Sequence, residues 1–143
     1  MSRSFSAAVL TLFMTATVGL AQDSQGSMSL ELNKATATTS GGCQLVFLGH
    51  NGMSEDFEEV TWRLAVFGAD GVFRNLLALP LNALSPGKRR VVQFSLPYAC
   101  EDLSDIIVNE VASCKIAGSE EDLGEACLTG LTVSSRTEIA FGL

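Results

Sequence analysis

Histidine is the side chain whose ionisation falls near neutrality, which makes it the usual general base of a hydrolase. The chain has one, His50. A Ser-His-Asp or Cys-His arrangement would have to use it, yet no G-x-S-x-G or comparable nucleophile signature occurs anywhere in the sequence. His50-Asn51-Gly52 reads equally well as a strand end followed by a turn, so no residue is given a catalytic role. Oxygen ligands crowd a second place, Glu120, Glu121, Asp122 and Glu125, where they could hold a calcium ion. They lack the D-x-[DN]-x-[DN]-G spacing of a dedicated loop and read as solvated charges. Glu55, Asp56, Glu58 and Glu59 form a similar acidic cluster. As paired acids for glycoside hydrolysis they would need a cleft and a set separation, and they read as surface.

The one basic run is Lys88-Arg89-Arg90. It could meet a phosphate or a carboxylate-rich partner, or it could blunt an edge strand against aggregation. Trp62 falls in register with Val60 and Leu64 and is expected in the core, whereas Tyr98, between Pro97 and Cys100, is the better surface aromatic. No phosphate-cradling glycine loop, dinucleotide fingerprint or haem motif occurs, so no cofactor is expected.

Cys43, Cys100, Cys114 and Cys127 are the remaining reactive groups, and the start of the chain decides how they read. Arg3 followed by the apolar run Ala7 to Met14 and by Gly19-Leu20-Ala21 has the form of a signal peptide cut after Ala21. Strong apolarity lasts about eight residues against the roughly twenty that span a bilayer, so no retained membrane anchor is expected. No cysteine follows the cut, which argues against a lipoprotein, and a lone arginine favours Sec over twin-arginine export. Behind an export signal, four cysteines without a C-x-x-C pair and with one histidine in the chain favour two disulfides over a zinc site. Removal of the leader takes away Arg3 and no acid, so the mature net charge is −8. Nucleic acid, which is bound through clustered Lys and Arg, is disfavoured as a partner.

After a polar lead-in over 22–27, short alternating runs separated by turn residues predict strands and almost no amphipathic helix. Seven are expected. The first covers about Ser27 to Lys34 with Met28, Leu30 and Leu32 on one face. The second covers about Cys43 to His50, a nearly continuous apolar run suited to a central strand covered on both sides. Period two is clearest from Glu59 to Gly68, where Val60, Trp62, Leu64 and Val66 alternate with Thr61, Arg63 and Ala65. Asp70-Gly71 predicts a type I′ hairpin into a fourth strand, about Val72 to Leu79. Ser85-Pro86-Gly87-Lys88 is a turn into a fifth, through Arg90, Val92, Phe94 and Leu96. A helical turn at Glu101 to Leu103 could precede the sixth, about Asp105 to Cys114. The seventh opens near Cys127 and carries Leu131, Val133, Ile139 and Phe141.

Such a series predicts a seven-stranded immunoglobulin-like β-sandwich over 28–143, with a closed barrel as the alternative. In the sandwich, strand two runs antiparallel to strand five, which brings Cys43 beside Cys100. Cys114 and Cys127 then face each other across the loop between strands six and seven.

Several segments, Ser29-Leu30-Glu31-Leu32-Asn33, Gly42-Cys43, Phe67-x-x-Asp70-Gly71, Leu84-Ser85-Pro86-Gly87-Lys88, Ala99-Cys100, Val108-Asn109-Glu110-Val111 with Cys114, and Ser134-Ser135-Arg136, carry a resemblance. The mature chain resembles small exported proteins of alphaproteobacteria, often labelled Tat pathway signal sequence domain proteins. That resemblance implies a Gram-negative periplasm and an all-β fold, and it brings no catalytic residues. The expectation is thus a periplasmic, non-enzymatic accessory or binding domain that meets a protein partner through a sheet edge or loops. The alternative is a small hydrolase or a cation- or ligand-binding protein using His50 or the acidic loop 120–125.

Overall fold

The computed structural model describes residues 26–143. The leader over 1–21 and positions 22–25 of the lead-in lie outside the described residues. Ser27, where the expected lead-in and first strand meet, belongs to the fold, because its carbonyl accepts the Gly52 amide at 3.1 Å.

Eight strands follow in order: β1 (Met28–Ala37), β2 (Cys43–Asn51), β3 (Phe57–Gly68), β4 (Phe73–Pro80), β5 (Arg89–Leu96), β6 (Leu103–Ile116), β7 (Thr132–Ser135) and β8 (Ala140–Gly142). A 3₁₀ turn at Cys100–Asp102 precedes β6, and a short helix, α1 (Gly124–Leu128), precedes β7. The strands make two four-stranded sheets, ordered β5-β2-β1-β7 and β4-β3-β6-β8. The fold is therefore the expected all-β sandwich, and the antiparallel pairing of β2 with β5 is consistent with an immunoglobulin-like arrangement.

Alternation places the core as the sequence indicates. Met28, Leu30 and Leu32 of β1 and Val60, Trp62, Leu64 and Val66 of β3 are all buried. Phe47 of β2 sits at the centre, edge-on to Phe94 at 6.1 Å and to Phe141 at 5.5 Å. The expectation that β2 is covered on both faces is corrected. Its residues alternate between buried and half-buried, because no third layer packs outside its sheet, and Val46 and Leu48 look outward.

Two turns separate a right expectation from a wrong one. At Ser85-Pro86-Gly87-Lys88 the Lys88 amide bonds the Ser85 carbonyl at 3.0 Å and Gly87 has φ +73°, the form in which proline presets the first central residue and glycine takes the positive φ. The Asp70-Gly71 hairpin is not type I′, because Gly71 alone has positive φ, +74°. The Gly71 amide bonds the Gly68 carbonyl and the Gly68 amide bonds the Val72 carbonyl, which describes a three-residue loop closed by a glycine bulge. The Asp70 carboxylate stabilises it by accepting the Val72 amide at 3.0 Å.

The end of the chain departs most from expectation. A single seventh strand opening at Cys127 is replaced by α1, then β7 in one sheet and β8 in the other. The break falls at Ser135, whose hydroxyl donates to the Ile139 carbonyl at 2.7 Å and accepts the Thr137 amide at 3.1 Å. Side-chain bonds of this kind compete with a strand ladder and let the chain change sheets. Both pieces run parallel to their neighbours, β7 to β1 and β8 to β6. A parallel strand must start at the end where its neighbour starts, which a hairpin cannot arrange. β6 stops at the end where β1 starts, since Ile116 pairs with Phe57 and Thr132 with Ser29, and residues 117–131 cross between the sheets there; β7 and residues 136–139 then bring the chain to the opposite end, where Ala140 pairs with Asp105.

The disulfides are Cys43–Cys100 and Cys114–Cys127, the expected pairing, with Cα separations of 4.9 and 6.2 Å. Cys127 lies in α1 and does not open a strand. Its bridge clamps the crossover segment to β6, helped by the Leu123 amide on the Cys114 carbonyl at 2.7 Å. Chain-entropy reasoning gives about 4 kcal/mol for the bridge closing 57 residues and about 3 for the one closing 13. Paired replacement by alanine should lower urea stability by these amounts, in this order. Equal stability of all three proteins would show that neither bridge constrains the unfolded chain.

Candidate functional site

The outward face of the β5-β2-β1-β7 sheet carries a row of polar residues drawn from all four strands. Cα register pairs Arg89 with His50, His50 with Ser29, and Ser29 with Thr132. The next row holds Val91, Leu48, Glu31 and Ser134. This face holds an open groove of 580 Å³ lined by Ser29, Glu31, Leu48, His50, Arg89 and Thr132 among others. Within it Glu31 is fully engaged. Asn33 donates to one carboxylate oxygen at 2.7 Å and Arg136 to the other at 2.9 Å, and the carboxyl is held below its usual range chiefly by the Asn33 bond, with Arg136 adding to it. His50 is half-buried, and no nucleophile with a second orienting group is paired with it among the described residues.

The acidic clusters stay apart. Among the described residues no group of three or more His, Cys, Asp or Glu is arranged to hold a metal ion, so Glu120, Glu121, Asp122 and Glu125 do not converge on a site. Glu59 pairs with Lys115 across the sheet at 3.4 Å. Trp62 is completely buried, and its indole nitrogen donates to the Cys127 carbonyl at 3.3 Å. Tyr98, half-buried, borders a second open depression with Asp70, Phe73, Arg74 and Asp102.

A second surface has a different chemistry. β4 is an edge strand, and its outward side chains are apolar: Val72, just before it, is 53% exposed, Phe73 52% and Leu76 49%. Phe67 of β3 packs edge-on against Phe73 at 6.2 Å and widens the patch. The one charge on the strand, Arg74, is paired with Asp70 at 2.8 Å. β5, the outer strand of the other sheet, opens instead with Arg89 and Arg90. The sequence expectation that its basic run blunts an edge fits this position.

Sequence reasoning missed Asn51. It reads as a turn residue, yet it is fully buried at the end of β2. Its amide nitrogen donates to the Glu55 and Leu84 carbonyls at 2.8 and 2.9 Å, and its side-chain oxygen accepts the Met53 amide at 2.8 Å. Its backbone completes the junction by bonding Lys88 and Gly87. One residue thus ties the β2–β3 loop to the turn that launches β5, and so sets where Arg89 emerges. Only its complement of three satisfied groups could have given it away, and that needs the fold.

Replacing Asn51 by alanine strands two carbonyls and an amide in the interior and should cost about 2–3 kcal/mol in urea unfolding. His50→Ala, on the open face, should change stability by less than about 0.5 kcal/mol. The reverse order would remove Asn51 from its structural role.

No family model matches the chain, and no curated protein matches it. Among solved structures the chain is similar to IrmA from Escherichia coli, with a TM-score of 0.58 and 14% identity over 76% of this chain and 92% of that one. The likeness is one of fold.

Proposed function

We propose that the chain is a non-enzymatic binding domain of the periplasm that receives an extended segment of a partner protein along β4. The observation that carries this reading is the undefended edge. An edge strand offers a row of unpaired amides and carbonyls, and proteins ordinarily protect such a row with lysine, proline within the strand, inward charges or a covering element. β4 has no lysine, its Arg74 is neutralised by Asp70, and its Pro80 stands at the last position. Val72, Phe73 and Leu76 provide the apolar contact that fixes side-chain register in β-augmentation. The acidic balance of the chain disfavours nucleic acid as the occupant.

Two disulfides and a leader-like start support an oxidising compartment outside the cytoplasm. No helix among the described residues is long and apolar enough to cross a membrane. The resemblance to exported alphaproteobacterial proteins supports the same compartment.

The test uses the processed protein recovered from the periplasm, which should begin at Gln22. Panning against peptides that alternate apolar and polar residues should yield binders that slow amide exchange in β4. Leu76→Lys and Phe73→Asp should each weaken them about tenfold or more, with Val91→Lys on β5 as the silent control. Affinity that survives both β4 substitutions, or protection that appears on β5, contradicts the proposal. A concentration-dependent dimer abolished by Leu76→Lys would assign the edge to a second copy of the chain instead.

A further inference from the structure

We infer that the groove on the outer face of the β5-β2-β1-β7 sheet is a binding site for a small organic anion, a molecule of about monosaccharide size carrying a carboxylate or a phosphate. The row Arg89, His50, Ser29 and Thr132 crosses four strands, and every member can donate a hydrogen bond toward the groove. Arg89 is in no ion pair among the described residues, in contrast to Arg63, Arg74, Lys115 and Arg136, each of which holds a carboxylate. The groove's own acid, Glu31, is held by Asn33 and Arg136 and forms no ion pair with Arg89.

The charge pattern points the same way. The chain is acidic, with a net charge of −7, yet Lys88, Arg89 and Arg90 follow one another beside the single histidine. Arg90 turns inward, where it donates to the Ala83 carbonyl at 3.0 Å, which leaves Arg89 to the outer face. A local basic spot on an acidic protein concentrates anions there and repels them elsewhere. Arginine presents two parallel donors to a carboxylate or a phosphate, and Ser29, Thr132 and Ser134 supply hydroxyls for the remaining oxygens. Leu48 lines the groove, and its 580 Å³ exceeds what a bare inorganic ion fills.

The single histidine gives one imidazole signal, so its NMR ring resonances report on this groove without further assignment. At matched ionic strength, glucuronate, glucose 6-phosphate and neutral glucose are titrated into the mature protein. Saturable shifts of His50 with glucuronate support a carboxylate ligand, and saturable shifts with glucose 6-phosphate support a phosphate ester. Glucose should leave the resonance unmoved. Arg89→Gln should weaken the anion about tenfold or more and Thr132→Ala by a smaller factor, while Arg63→Gln on the other sheet should change nothing. Shifts that never saturate, that glucose reproduces, or that persist unchanged in Arg89→Gln would overturn the site. The β4 edge takes no part in this titration, so its outcome is independent of the partner reading.

Discussion

The passage from one sheet to the other after β6 depends on one thing, a segment held against the end of the sandwich where β6 stops and β1 starts. In this protein residues 117–131 make that crossover and the Cys114–Cys127 bridge holds it, while β7 carries the chain back along the sandwich to where β8 starts beside the beginning of β6. The Trp62 indole bond to the Cys127 carbonyl joins that clamp to the centre of the core. Once the crossover is fixed, Leu131, Ile139 and Phe141 can each be buried, and β7 and β8 can close one sheet each. A short helix with five residues has little stability of its own, so α1 is held by its tertiary contacts and the covalent link.

That closure distributes the free edges unequally. β7 completes the groove on one sheet by adding Thr132 and Ser134 to rows begun on β5, β2 and β1. On the other sheet β8 caps the start of β6, leaving β4 as the apolar outer strand. The two surfaces lie on opposite sheets and differ in chemistry, one polar and basic, the other apolar with backbone groups to share. Their separation makes simultaneous occupancy by two unlike ligands sterically compatible.

Much of the fold was legible because period two is a strong local signal. Val60 to Val66 could be placed on one face from spacing alone, and the pairing of Cys43 with Cys100 followed from the antiparallel relation of strands two and five. The end of the chain was not legible for a physical reason. Leu131, Val133, Ile139 and Phe141 alternate acceptably as one strand, and nothing in that pattern says that Ser135 will bond backbone and divert the chain to the other sheet. The Asp70-Gly71 pair is compatible with both a two-residue turn and a bulged three-residue one. The sites were less legible still. Ser29, His50, Arg89 and Thr132 lie far apart in sequence and become a row only through register, while Asn51 hides its structural role behind a turn composition.

Amide hydrogen exchange, compared between the oxidised protein and Cys114→Ser/Cys127→Ser, tests the clamp most directly. Protection should fall first and most at residues 123–142, with the β2, β3 and β5 amides retaining theirs until global unfolding. Unchanged protection of β7 and β8, or an even loss across both sheets, would contradict the view that this bridge is what secures the crossover between the sheets.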